Sequence, residues 1–300
     1  MARAPGTGED CHLGDRAQEA RGGPRAGPGA RGRYGQVVSL AVVFVPDTAL
    51  LVPGAGGLAD PAAGLRAAAL AALGTADVDG RVLVVAPGRR TRALRHPVGL
   101  GLGAAGLDPG PLDGRAGQRP GGPGTGALDG PPARRADVAA STALVMLHAA
   151  GVRAPVDVHE VDRADGGPAP ARPSLDDLGL LVVVGSLSAR HGPDAPLADD
   201  PRAPAADAAL LAALGDGPAA LAAALDRLGP DAARDLAISG AGPWRVALGQ
   251  VPDGAVEVTT RHAEVLAGAQ HAVVAWTVTP ATTPVATPGA ITRTAPEEPR

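Results

Sequence analysis

The chain has 300 residues, 45% of them hydrophobic, so it can bury one sizeable core; a formal net charge of -4 and a pI of about 6.0 give no electrostatic case for nucleic acid or a membrane surface. It contains no lysine and no asparagine, which excludes Schiff-base catalysis, a pyridoxal phosphate anchor and a Gly-Lys-Ser/Thr phosphate loop. Cys11 is the single cysteine, which excludes an intramolecular disulfide framework and a Cys-rich zinc site.

The 43 glycines and 31 prolines stand beside one phenylalanine and one tyrosine. Residue types with GC-rich codons have replaced those with AT-rich codons, the mark of a high-GC bacterial genome rather than of a functional adaptation. The core must then be built of Val, Leu and Ala, without the large area that aromatic rings bury, and modest stability is expected. The N-terminus has no apolar signal-like stretch, and no apolar run approaches the roughly 20 residues that span a bilayer. The expected compartment is the cytoplasm, with no nucleic-acid or membrane partner.

Residues 1–35 are low in complexity and rich in Gly, Arg and Pro, and are expected to be a disordered tail. Val37 to Val45 is apolar and β-branched and reads as a buried strand. Asp60-Pro61 reads as an N-cap with Pro at the first helical position, opening a helix to about Leu73. Arg81 to Ala86 is the next expected strand. Residues 108–136 look like a low-complexity insertion. A helix over Asp137 to Ala150 and a strand over Pro155 to Val161 follow. Leu180 to Gly185 reads as the central strand. Ala-rich helical stretches run from Ala205 to Leu214, Pro218 to Leu228 and Pro230 to Ile238. Two late strands lie near Ala255 to Thr260 and Ala272 to Val278, and 279–300 reads as a disordered Pro/Thr-rich tail. Alternation of strands and helices predicts one α/β domain over 36–278, with a mainly parallel or mixed sheet and helices on both faces.

In such folds ligands bind where loops leave the carboxyl ends of the strands. Three loops qualify: Val45-Pro46-Asp47-Thr48-Ala49-Leu50-Leu51-Val52-Pro53, Val84-Val85-Ala86-Pro87-Gly88, and Val184-Gly185-Ser186-Leu187-Ser188-Ala189-Arg190-His191. Their order, with Asp200-Pro201-Arg202-Ala203 leading to Asp207 and Gly242-Pro243-Trp244-Arg245-Val246, resembles the catalytic subunits of class III extradiol ring-cleavage dioxygenases (LigB-like), in particular an actinobacterial branch. The resemblance covers most of 37–278. It implies a LigB-like architecture, an Fe(II) site of two histidines and a carboxylate, an acid/base histidine, and assembly as a homo-oligomer, although the sequence itself shows no interface.

Carried over one by one, the resemblance places the first iron histidine on Asp47 and the second on Gly88. The acid/base histidine falls on Ala189, and the carboxylate falls near Ala241. Glycine and alanine neither bind a metal nor move a proton. The expectation is therefore a catalytically degenerate member with no resident cofactor, Fe(II) being required only if the family's activity is retained. It would keep a small-molecule cleft at the former active site.

The residues also admit two other classes. A relocated metal site would use Asp47 with His96 or His191, though both histidines read as exposed loop residues. A nucleotide-binding module would use Gly54-Ala55-Gly56-Gly57, although Asp60 would repel an anion there. Gly185-Ser186-Leu187-Ser188-Ala189 lacks the last glycine of a nucleophile elbow and has no assignable His and acid partner. Ser188 and His191 remain the candidates for chemistry in that turn. His159-Glu160 looks like a ligand pair, but adjacent strand residues point to opposite faces. His148 reads as a packed or rim residue, and His262 and His271 as strand-end residues. His12 falls in the expected tail. Trp244 reads equally well as a pocket wall or a core anchor.

Overall fold

Seven strands form one sheet in the order β3-β4-β2-β5-β1-β7-β6 in the computed structural model, which describes residues 39–76, 78, 80–107, 135–163 and 178–281. All of them belong to the compact unit Val37–Arg300. The expectations for 1–35, for most of 108–136 and for the chain beyond 281 lie outside the described residues.

The four central strands are β1 (Leu40–Val45), β2 (Arg81–Gly88), β4 (Val156–Asp162) and β5 (Leu178–Val184). They pair in parallel, β1 with β5, β5 with β2, and β2 with β4. Their Val- and Leu-rich runs suit strands buried on both faces. The flanks are antiparallel: β3 (Arg92–Leu94) on β4, and β7 (Ala269–Pro280) on β1 with β6 (Gly254–Leu266) outside it. The sheet is thus mixed.

The β6–β7 hairpin turns on Ala267 and Gly268, both at positive φ (48° and 69°). That is the two-residue turn whose twist matches its flanking strands. Closing so tightly lets both strands run well beyond the expected Ala255–Thr260 and Ala272–Val278. His262 lies inside β6 rather than at a strand end, and Thr279 and Pro280 belong to β7 rather than to a tail. The expected insertion also ends early: Ala136 is buried, and Arg135 bridges to Gly99.

Helices cover both faces. On one lie α1 (Ala63–Gly74) and α2 (Val138–Ala149), packed on Val43, Val45, Val82, Val84, Leu180 and Val182. On the other lie α3 (Ala203–Asp216), α4 (Pro218–Asp235) and α5 (Ala241–Leu248), packed on Val42, Phe44, Leu83, Val85, Leu181 and Val183. Successive strand residues therefore feed opposite layers, as the period of two requires. The two expected Ala-rich stretches of α4 meet at a break, Gly229 (φ 72°) followed by Pro230. Phe44 contacts both tryptophans edge-on, Trp276 with ring centroids 4.5 Å apart and Trp244 at 6.4 Å. Trp244 is buried, so it is a core anchor. No described helix is long and apolar enough to cross a membrane.

One local expectation fails. Asp60 does not cap α1. It sits at φ 35° and takes two hydrogen bonds of 2.6 Å from Arg66, which also donates to the Leu50 and Leu51 carbonyls. The Arg66 guanidinium holds the Asp60 carboxyl below its usual range. A bidentate partner within the next helix outcompetes the capping geometry. The helix starts at Ala63, and a 3-10 turn over Gly57–Ala59 separates the Gly54–Gly57 loop from it.

Candidate functional site

Because β1, β2, β4 and β5 are parallel, their carboxyl ends share one edge of the sheet. Antiparallel β7 begins at that same edge. Phe44 pairs with Val274, so His271, three residues earlier in β7, projects past the end of β1. Ser186 follows β5 directly. Its turn is anchored by Gly185 N–H on the Val45 carbonyl (2.9 Å) and Leu187 N–H on the Gln270 carbonyl (3.1 Å). A Cβ on Gly185 would come within 2.3 Å of the Gly240 Cα, so only glycine lets the β5 turn lie against the start of α5.

Three side chains meet there. The Ser186 hydroxyl donates to Asp47 Oδ1 at 2.6 Å and lies 2.9 Å from His271 Nδ1. The Asp47 amide donates back to the hydroxyl at 3.3 Å. A hydroxyl has one proton, and here it goes to Asp47, so His271 Nδ1 is the donor to Ser186. Arg163 closes the cluster, 3.4 Å from Asp47 Oδ2. Sequence reasoning found no His or acid partner for this turn; the structure supplies both. Yet every hydrogen-bonding direction of the Ser186 hydroxyl is taken and the residue is buried, which describes a structural knot rather than a nucleophile facing substrate.

Burial pushes the His271 imidazole below its ordinary value of 6.5, against the opposing pull of the Asp47 and Glu264 charges. A folded value below the unfolded one means that the unfolded chain binds the proton first. The stabilisation from neutral His271 is present above about pH 6.5 and is lost as pH falls through the folded value. The urea midpoint should therefore fall between pH 7.5 and pH 5.5, and His271→Gln should shrink that difference. An unchanged difference would dissociate His271 from the acid sensitivity.

The other predicted positions fall as follows. Ser188 is fully buried; its hydroxyl donates to the Leu236 carbonyl at 2.9 Å and accepts from the Arg190 amide at 3.1 Å. Its amide donates to Asp207, whose other oxygen lies 3.4 Å from His191 Nδ1. Burial raises the Asp207 carboxyl above its usual value, partly offset by those two bonds. His191 is thus partly covered and turned to Asp207, not an open loop residue. His96 hangs by its amide on Asp157 (3.0 Å), and Asp157 lies near the amino end of β4, opposite the end that carries Asp47. Among the described residues no group of three or more His, Cys, Asp or Glu side chains comes together to hold a metal.

Gly88 has no room for a side chain: a Cβ would lie 2.8 Å from the Glu160 Cβ and 3.3 Å from Asp137 Oδ2. Glu160 is itself fully buried, paired with Arg92 and accepting the Asp137 amide. Asp47, Gly88 and Ala241 do gather around Arg163. Its amide donates to the Gly88 carbonyl (3.4 Å), its guanidinium meets Asp47, and it lines a cleft of about 500 Å³ with Ser239, Ala241, Ile238 and Arg245. Ser239 ties this cleft to the knot through a 2.9 Å bond from the Ser186 amide. Ala189 is not part of the cleft; its amide is spent on the Leu236 carbonyl.

Fold and site together define an α/β protein with a mixed seven-stranded sheet and a polar knot beside a cleft at the strand carboxyl ends. No protein-family model matches the chain, and no curated protein matches it.

Proposed function

We propose that the chain is an extradiol dioxygenase-like protein of LigB type that has lost ring-cleavage chemistry and binds a small organic ligand in the cleft beside Arg163. The observation that carries the reading is the fate of the positions assigned to the iron ligands. Asp47 is engaged by Ser186 and Arg163, Gly88 is closed off by Glu160, and Ala241 offers only a methyl group. These residues do not fit a ferrous ion, which needs several convergent nitrogen and oxygen donors. The cleft beside Arg163 sets apolar residues such as Pro230, Ile238 and Pro243 beside Ser239 and three arginines, and apolar walls with a few polar groups are the usual make-up of a small-molecule site.

Metal analysis of the purified chain should find iron far below one per protein, and catechols should cause no oxygen uptake. Stoichiometric iron together with a ring-opened product would overturn the reading. A small molecule that raises the melting temperature by binding this cleft should lose its effect in Arg163→Ala, since ligand binding stabilises the folded state by mass action.

A further inference from the structure

We infer that a second cleft, lined by Arg89, Arg90, Arg92 and Arg135, binds a phosphate-bearing dianion. It lies beside the amino end of α2, encloses about 370 Å³, and has Asp137 as the carboxylate in its lining. It is distinct from the cleft beside Arg163, and the inference does not depend on the proposed loss of dioxygenase chemistry.

Among the described residues the lining gathers four guanidiniums around this small space, in a chain of net charge -4. Three of them come from the short segment Arg89-Arg90-Thr91-Arg92 that leaves β2 and enters β3. Glu160 and Asp137 are the carboxylates that the described residues bring to these arginines. Glu160 is buried and committed to Arg92. Asp137 holds the Arg89 amide at 2.8 Å and faces Arg92 at 3.3 Å and Arg89 at 3.6 Å. Of the described residues that line the cleft, four are arginines and one, Asp137, is a carboxylate.

The surplus is also placed where an anion can use it. The Arg89 side chain is 82% exposed, and an exposed ion pair of this kind holds weakly against a doubly charged competitor. The planar guanidinium fork matches phosphate oxygens two at a time. Asp137 occupies the N-cap position of α2 but makes no capping bond with its side chain, which is turned to the arginines instead. The amino end of the helix adds its partial positive charge to the same side.

Isothermal titration of the full chain at low ionic strength tests this, with inorganic phosphate and glycerol phosphate as probes and acetate as the monoanion control. Both phosphate probes should bind more tightly than acetate. Arg89→Ala and Arg90→Ala, both at the surface, should each weaken phosphate binding about tenfold, the loss expected for one charge-assisted contact. Arg234→Ala in the other cleft should leave it unchanged. Tighter binding of glycerol phosphate than of inorganic phosphate would mark a phosphomonoester as the ligand, and equal binding would mark the free ion. Absence of binding by both probes, or affinities unaltered in both Arg89→Ala and Arg90→Ala while the melting temperature stays at the wild-type value, would overturn the inference.

Discussion

Arg92→Met should cost about 3–5 kcal/mol of folding stability, the usual penalty for stripping one partner from a buried ion pair. Glu160 is fully buried in the middle of the β2–β4–β3 edge, and Arg92 is the cation that faces it. The Glu160 hydrogen bond does most to raise the guanidinium's pKa. Without Arg92, the carboxylate keeps the Asp137 amide at 2.5 Å, which cannot replace a full charge at a fully buried carboxylate. In a domain of this size the loss corresponds to a fall of roughly 10 °C in melting temperature. The double variant Arg92→Met/Glu160→Met should recover most of it, because two apolar side chains leave no orphaned charge. If the double variant is as unstable as the single one, packing rather than charge explains the loss, and the ion pair has been overvalued.

Ser186→Ala should be the next most damaging change, at about 2–3 kcal/mol. The substitution takes little volume but leaves Asp47 Oδ1, the Asp47 amide and His271 Nδ1 without their shared partner. Leaving buried polar groups unmet costs about 1–3 kcal/mol. Arg163 retains Asp47 Oδ2, which limits the damage on that side. Ser188→Ala is the matched control. Its hydroxyl serves only two backbone groups, the Leu236 carbonyl and the Arg190 amide, so about 1 kcal/mol is expected. Urea titrations of the two variants give the comparison. Equal losses would mean that the three-residue knot contributes nothing beyond an ordinary buried hydroxyl.

Much of the scaffold was legible in the residues. Val37 to Val45, Arg81 to Ala86 and Leu180 to Gly185 read as strands, the last as the central one, because apolar runs of that length suit strands covered on both faces, and the structure has strands at Leu40–Val45, Arg81–Gly88 and Leu178–Val184. The pair Gly229-Pro230 likewise marked the break that divides α4. Asp60-Pro61 misled, since its capping signal is local and its true partner, Arg66, acts through a side-chain fork that spacing alone does not reveal. The β6–β7 hairpin is longer than its sequence signals because the polar run Thr259-Thr260-Arg261-His262 on its outer strand weakens the apolar pattern.

The site was legible only as a set of loops. Asp47 and the turn after β5 were singled out because they follow strand carboxyl ends. His271 was not, because an antiparallel strand delivers its beginning to that edge, and nothing in the local sequence announces the direction of β7. Ser186 and His271 are 85 residues apart, and Ser186 and Asp47 are 139 apart.

The sequence by itself determined the alternation of strands and helices, the Val/Leu/Ala core and the absence of donor side chains at Gly88, Ala189 and Ala241, since periodicity and residue identity are local properties. Only the tertiary structure decided that Asp47, Ser186 and His271 are hydrogen-bonded together, that Glu160 is buried against Arg92, and that four arginines line one cleft. Those outcomes depend on strand order and direction, which bring distant residues within hydrogen-bonding reach, and no local pattern encodes them.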